Sequence, residues 1–289
     1  MKPGIYADLT RAEYDAIQAA NYSTIKHYAA PTPAHARERM LHPREASPEM
    51  RLGTLCEAAI EDPARLERDY IAMPDFTIGL LDDKGQPYSN PRATKKYKQL
   101  VSDFGRENQG REFVDVADLD VARIVAESVA QNAVASELLS TGECQVAVVW
   151  IDQMTGFLCK GLLDRITTWN GKRCVVDLKT AADASPAGFL RSCETLLYHV
   201  QAAMYMSGMA ANGQHAGHFL HVVCETVPPY GVAVYEMTDA FLSIGLQRLE
   251  QFMRLHADCT AANRWPGYPD GIQTLDPSPW LARKNGLES

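Results

Sequence analysis

The run Gly161-Leu-Leu-Asp164-Arg165-Ile166-Thr-Thr-Trp169-Asn170-Gly171-Lys172-Arg-Cys-Val175-Val176-Asp177-Leu178-Lys179-Thr180 decides how this chain is read. Asn-Gly between two β-prone segments is a strong short-range hairpin signal, because a two-residue type I′ turn needs positive φ at both positions. With Asn170-Gly171 as the turn, Trp169 pairs with Lys172. Five residues further from the turn, Asp164 then faces Asp177. Directly opposed residues share a sheet face, with Cβ atoms about 4.5–5.5 Å apart. Lys179, two residues beyond Asp177, lies on that face too. Two carboxylates opposed on strands lined by Leu162, Leu163, Ile166, Val175, Val176 and Leu178 repel each other and cost stability. A divalent cation between them reverses the sign of that interaction. A lysine beside the cation can orient or deprotonate a water, or stabilise a developing oxyanion. Two acids and a lysine on one face therefore point to metal-assisted hydrolysis. The plain alternative is a solvated strand face.

Outward from the hairpin, Val146 to Ile151 reads as a strand, 152–156 as a turn, and 157–169 and 173–178 as further strands. A helix from about Leu196 to Met209 follows, then strands near 217–224 and 231–237 and a helix over 239–262. The first third reads as helices and loops. Thr10-Arg-Ala-Glu13 is a capping-box pattern, and 50–61 carries the apolar stripe Leu52, Leu55, Ala59, Ile60. A loop is expected over 75–92 and one long helix over 117–139. Helices followed by a mixed sheet with a crossover helix predict an α/β (α+β) fold: a central mixed β-sheet flanked by helices. One domain is expected over 1–289, with a mostly helical part at 1–110, a core at 111–265 and a C-terminal tail at 266–289.

Composition narrows the class. The chain has 289 residues, 46% hydrophobic and 22% charged, which excludes intrinsic disorder, collagen and coiled coil as descriptions of the whole. No apolar run approaches the ~18 residues of a membrane helix, and Met-Lys-Pro-Gly-Ile-Tyr-Ala-Asp lacks the apolar core of a secretory signal. A cytoplasmic location is expected. The net charge of −8 argues against a protein that coats nucleic acid, but an enzyme on DNA needs only a local basic groove. The seven cysteines are dispersed with no C-x-x-C. No structural zinc and no iron–sulfur cluster is expected, and the thiols should be reduced.

A further motif follows the Asp-x-Lys strand: Tyr198-His199-Val200-Gln201-Ala-Ala-Met-Tyr205. The ordered series resembles the PD-(D/E)XK nuclease superfamily in its RecB-like branch. Within that branch it is most similar to the RecE (exonuclease VIII) type of phage recombination exonuclease domain. The resemblance covers most of residues 4–240. It includes Gly4-Ile5-Tyr6, Tyr22-Ser23-Thr24, Leu52-Gly53-Thr54 through Asp62-Pro63, Trp150 through Gly156, Leu158-Cys159-Lys160 and Ala184-Ser185.

The resemblance implies a restriction-endonuclease-like core with its active site at the sheet edge. It implies Mg²⁺-dependent 5′-to-3′ digestion of linear double-stranded DNA, with Mn²⁺ as a substitute. The product would be a 3′ single-stranded tail for a single-strand annealing protein of the RecT/Beta type, in a bacterial or phage-infected cell. A homo-oligomeric ring around DNA is implied as well. Residue by residue, Asp164 and Asp177 are implied metal ligands, the backbone carbonyl of Leu178 a third, and Lys179 the catalytic lysine. Gln201 and Tyr205, four apart on one helix face, are implied to hold DNA or the catalytic residues. Such proteins commonly carry a histidine in the helix after Gly-Thr, where Gly53-Thr-Leu-Cys-Glu57 here presents glutamate. Other branches use glutamate as a ligand there, and carboxylate oxygen suits Mg²⁺ at least as well as imidazole. Glu57 is read as the first-helix ligand. The alternatives are a surface glutamate, or Cys56 at that position if the alignment slips by one. Alternative functions are a RecB-like endonuclease or single-strand DNA exonuclease, and a non-catalytic DNA-binding subunit.

Secondary features have two readings each. Arg92-Ala-Thr-Lys95-Lys96-Tyr97-Lys98 can track phosphates, with Tyr97 to stack, or form a solvated helix face. Arg165 alternates to the other sheet face, as a structural residue first and a DNA contact second. Ser23 sits where related exonucleases place residues near the 5′-phosphate, but a helix N-cap is the preferred reading. His215-x-x-His218-x-x-His221 reads as core or surface histidines, since His218 and His221 fall on opposite faces of a strand. His199, beside the Gln201 motif, is a candidate substrate contact.

Overall fold

A computed structural model describes residues 1–286; the last three residues of the tail, 287–289, lie outside the described part. In chain order the first elements are β1 (Gly4–Tyr6), α1 (Arg11–Ala16), α2 (Tyr22–Ile25), α3 (Pro33–Leu41), α4 (Pro48–Glu61), α5 (Pro63–Asp69) and β2 (Tyr70–Ala72). Then come α6 (Lys95–Glu107), β3 (Glu112–Val114), α7 (Val116–Gln131), α8 (Ala133–Ser140), β4 (Glu143–Ile151), β5 (Leu158–Trp169) and β6 (Lys172–Ala181). The chain closes with α9 (Pro186–Thr195), α10 (Tyr198–Ala211), β7 (His218–Glu225), β8 (Val232–Glu236), α11 (Asp239–Ala262) and α12 (Pro279–Lys284). Six strands form one mixed sheet in the order β1-β4-β5-β6-β7-β8, and β2 and β3 form a small parallel pair. The architecture is the mixed, helix-flanked sheet expected from the strand pattern.

Asn170 has φ 49° and Gly171 φ 74°, the positive pair of a type I′ turn. Trp169 pairs with Lys172, and the ladder runs in the expected register to Arg165 opposite Val176. There it stops. Instead of a further ladder bond, the side chain of Asp164 accepts the Leu178 N–H through Oδ2 at 2.7 Å. The neighbouring strand is irregular at the same level. Gln145 falls between the pairs Cys144–Arg165 and Val146–Leu163, and its φ is 51°. Leu163 and Ile166 both pack into the core beneath α10, although residues three apart in a regular strand face opposite ways. The alternation therefore slips by one at Asp164, a bulge-like device that re-aims a side chain. The expected ladder pairing of Asp164 with Asp177 is corrected in this respect: a side-chain bond replaces the backbone pairing.

Both sheet faces are covered. One carries Val148, Leu163, Val175, Phe219 and Val223 against Met204 and Met209 of α10 and Phe252 and Met253 of α11. The other carries Val176, Leu220 and Val222 against Leu55 and Ala59 of α4, Val125 of α7 and Leu138 of α8. Each such large side chain contributes roughly 1.5–3 kcal/mol by leaving water. The α10–α11 contact depends on Gly245, where a Cβ would lie 2.0 Å from the His199 carbonyl oxygen.

Sequence boundaries fail where a polar residue competes for the helix backbone. The helix expected over 117–139 is two helices, because Asn132 ends α7 and its side chain accepts the Ala135 N–H to start α8. Ser23 is not a cap: Asn21 caps α2 by accepting the Thr24 N–H, and Ser23 is exposed two residues along. The Thr10–Glu13 capping box is present as read. All seven cysteines are free thiols, six of them buried. Among the described residues no helix is long and apolar enough to cross a membrane.

Candidate active site

The sheet sets out a polar row along one line of four adjacent strands: Gln145 on β4, Asp164 on β5, Asp177 on β6 and His221 on β7. The register places Gln145 level with Asp164 and pairs Asp177 directly with His221. Asp177 is almost wholly buried, at 1% exposure. Three donors surround its carboxylate. Gln201 Nε2 donates to Oδ1 at 3.2 Å, His221 Nδ1 lies 3.0 Å from Oδ2, and the Lys179 ammonium makes a close ion pair with Oδ2. Lys179 also lies 4.9 Å above the Tyr198 ring and 3.4 Å from the Leu178 carbonyl oxygen.

These contacts set the charges. Burial raises the pKa of Asp164 well above the carboxylate range, and the charge of Asp177 adds to the rise. Burial alone would raise Asp177 too, but Lys179 and the His221 bond hold it below its ordinary value. For Lys179, burial opposes the charge, yet Asp177 and Asp164 outweigh it and hold the ammonium above its usual pKa. The lysine is the counter-charge of an otherwise repulsive pair of acids.

The first-helix contribution comes from a stripe at i, i+4, i+8 on α4. Gly53 packs where a Cβ would sit 3.1 Å from the Thr180 hydroxyl on β6. One turn on, Glu57 accepts from Gln145 Nε2 at 2.8 Å; one turn further, Glu61 accepts from the same nitrogen at 3.1 Å. Glu57 is partly buried, and its charge is felt at Asp164. The surface-glutamate alternative for Glu57 does not match this placement. Nor does Cys56: it is fully buried among α4, α7 and β7 side chains, and burial pushes its thiol up to about 12.

Glu61 faces Arg165. Its side chain is 5% exposed, and Oε1 has an ion-pair contact with Arg165 Nε at 3.9 Å but no hydrogen-bond partner. Burial pushes its pKa up to about 7 against the pull of Gln145 and Arg165. An acid whose folded pKa is raised disfavours folding once pH passes its unfolded value, so the native protein loses stability from the ordinary carboxylate range up to about pH 7. Glu61→Gln should match the parent near pH 4.5 and exceed it at pH 8 by up to ~3 kcal/mol, at 1.36 kcal/mol per pKa unit. Thermal or urea melts in chelator at the two pH values check this.

The Gln-x-x-x-Tyr motif comes to the same place. Gln201 also donates to the Tyr205 hydroxyl at 3.3 Å. The Tyr205 ring lies on Gly161, whose missing Cβ would stand 2.9 Å from it; this is why glycine precedes Leu-Leu-Asp. A further cation joins from the turn that follows α2. Lys26 lies 5.1 Å above the Tyr22 ring, and burial and then Lys179 lower its pKa. Tyr22 itself donates to the Leu196 carbonyl in a short bond.

Other expected residues fall elsewhere. Arg165 is 7% exposed and donates to the Thr141 carbonyl at 3.0 Å. It also faces Glu61 of α4, contacts that match the structural reading, which came first. Lys95, Lys96 and Lys98 are exposed on α6, a helix anchored through Phe104 to Phe76 and Phe113. The structure does not bring them to the aspartates by any bond. His199 is corrected to a core residue: its Nδ1 meets the Cys193 carbonyl at 3.1 Å and its ring stacks on Phe241. His218 pairs with Glu236, while His221 is at the site. The sequence reading missed Gln145, Glu61 and His221 as site residues. Register signals existed for two: Gln145 is opposite Asp164 once the 152–156 turn is counted, and Glu61 is one turn past Glu57.

Among the described residues no three His, Cys, Asp or Glu side chains stand together as a ready metal-binding group. The donor set is nonetheless suited to a hard cation. It consists of carboxylate and carbonyl oxygens, with two acids whose proximity calls for positive charge, a call that Lys179 answers in this structure.

Comparison with known proteins agrees with the fold. The model of a family described as a PDDEXK-like domain of unknown function (DUF3799) matches residues 21–277. A search of curated proteins returns no match. Among solved structures, the crystal structure of a "Putative exonuclease" from Eubacterium rectale is similar, with a TM-score of 0.57 and 16% identity over 91% of this chain and 96% of that one. At that identity the likeness is one of fold. The crystal structure of SSO0001 overlaps 57% of this chain and 69% of that one at 19% identity, with a TM-score of 0.29, too low to show a shared fold.

Proposed function

Because the chain belongs to the PDDEXK-like family (DUF3799), we propose that it is a metal-dependent deoxyribonuclease that hydrolyses phosphodiester bonds at the Asp164–Asp177–Lys179 site. The observation that carries the reading is the carboxylate of Asp177 beside Lys179 and Gln201, with Asp164 turned out of the ladder toward the Leu178 amide. A solvated strand face would leave these groups in water; here Asp177 is buried.

Asp164, Asp177, the Leu178 carbonyl and Glu57 would hold a divalent cation, Mg²⁺ with Mn²⁺ as a substitute. When bound, it supplies Lewis acidity toward the phosphate and lowers the pKa of water. The chain's own residues do the rest. Gln201 fixes the Asp177 carboxylate from α10. Gln145 holds Glu57 toward Asp164. Lys179, freed from Asp177, reaches the attacking water and the charge that develops on the phosphate oxygens. Tyr198 and Tyr22 support the two lysines, and Lys26 is available to a neighbouring phosphate.

The finer reading rests on the resemblance in the motifs: 5′-to-3′ digestion of linear duplex DNA, leaving 3′ tails for an annealing protein of the RecT/Beta type, by a homo-oligomeric ring in the bacterial cytoplasm. It is tested with three substrates in Mg²⁺: a linear duplex with 5′-phosphate, the same duplex with 5′-hydroxyl, and closed circles, each labelled so the digested end is known. Loss of 5′ label from linear DNA alone is the expected result. Cutting of closed circles would replace this reading with an endonuclease, and the ring and annealing partner would go with it.

A further inference from the structure

His221 is fully buried, at 0% exposure. It stands at the β7 position paired in register with Asp177 on β6, with Nδ1 3.0 Å from Asp177 Oδ2. The ring sits in an aromatic cage: Phe189 and Phe219 meet it edge-on at 5.2 and 5.1 Å, and Tyr198 lies 5.8 Å away. Opposite a carboxylate, Nδ1 must carry the proton, which leaves Nε2 as a bare acceptor. That nitrogen is buried and has no partner. An unpartnered buried acceptor costs stability. A phenyl ring would fill the cage without that cost, so packing alone does not account for a histidine here.

The bond to Asp177 does. Oδ2 is shared between Lys179 and His221, while Oδ1 belongs to Gln201. Lys179 is on the same strand as Asp177, its stem is flexible, and it is the one of the three donors with appreciable side-chain exposure, at 15%. It must leave Oδ2 to act on substrate. His221 and Gln201 come from β7 and α10 and stay.

We propose that His221 is a positioning residue: its Nδ1–H holds the Asp177 carboxylate in the orientation a divalent cation requires when Lys179 swings away. The inference rests on the reading of Asp177 as a metal ligand. Groups that orient a ligand in this way typically change metal affinity 10–100-fold when removed.

The test uses the full chain, stripped with chelator and titrated with Mn²⁺ by calorimetry. The same proteins are assayed for DNA cleavage across a range of metal concentrations. His221→Phe fills the cage without the donor. His221→Asn places an amide where Nδ1 was, and His221→Gln places it where Nε2 was. The expected result is Mn²⁺ affinity about 10–100-fold weaker for Phe and Gln, and within about threefold of the parent for Asn. Excess metal should restore kcat in the weakened variants, with KM for DNA unchanged. The Asn and Gln pair keeps a polar side chain in the cage, so the comparison stands even where Phe disturbs folding. Equal affinity in Asn and Gln, or a loss in all variants that tracks a fall in Tm and is not rescued by metal, would overturn the positioning role. Absence of Mn²⁺ binding by the unsubstituted chain would overturn the nuclease reading, and this inference with it.

Discussion

Asparagine in place of Asp177 will lower the rate of DNA cleavage by at least about 10³-fold, equivalent to ~4 kcal/mol of transition-state stabilisation. The carboxylate is the one group that meets Gln201, His221 and Lys179 together. In the proposed mechanism its charge also draws the cation to this end of the sheet. The fold should survive the change. In the metal-free protein Asp177 acts in two opposing ways. Its own depressed pKa stabilises the native state above the usual carboxylate range and is lost as pH falls through the folded value. Its charge also raises Asp164, which costs stability as pH rises. Asparagine removes both effects. Circular dichroism melts and gel assays on the same preparations separate the two outcomes. Retained metal-dependent turnover in a folded Asp177→Asn protein would remove Asp177 from the mechanism.

Lys179→Ala will give a different signature. Cleavage should fall by about 10²–10³-fold, the range for removal of a group that stabilises developing charge. Metal affinity should stay the same or rise, because the variant lacks the ammonium that competes for Asp177 Oδ2. The metal-free variant also has a predictable pH dependence. Without Lys179, burial is opposed chiefly by the His221 bond, and the pKa of Asp177 should rise. Two acids with raised pKa make stability fall as pH increases past the unfolded value. Added Mg²⁺ should then raise the Tm of Lys179→Ala more than that of the parent at pH 8, and little at pH 5. Melts at both pH values with chelator or Mg²⁺ check this, and an equal metal response in the two proteins would contradict it.

The fold was legible where a residue's local chemistry leaves few choices. Asn170-Gly171 fixed a turn, the turn fixed a register, and the register brought Asp164 and Asp177 to one level. Glu57 was reached through the resemblance, as the aligned position after Gly53-Thr. What stayed hidden depended on how strands deform. The slip at Gln145 and Asp164 ends the ladder and turns Asp164 toward the Leu178 amide, and no period-two pattern announces it. His221 was read by strand alternation against His218 alone. Its meaning came from a parallel pairing across a crossover of more than thirty residues, which sequence spacing does not specify. Ser23 and the unbroken 117–139 helix failed for a local reason: asparagines at 21 and 132 took the capping bonds. Arg165 was placed on the correct side of a strand, but the presence of Glu61 beneath it was not visible.

In the proposed function this chain hydrolyses DNA with a divalent metal at Asp164 and Asp177. The most direct measurement is nucleotide release from a uniformly labelled linear duplex by chelator-stripped protein, before and after Mg²⁺ is added. No release in chelator and sustained release on adding Mg²⁺ or Mn²⁺ are expected. Release that persists in chelator, or none with either metal from a folded protein, would contradict the proposed function.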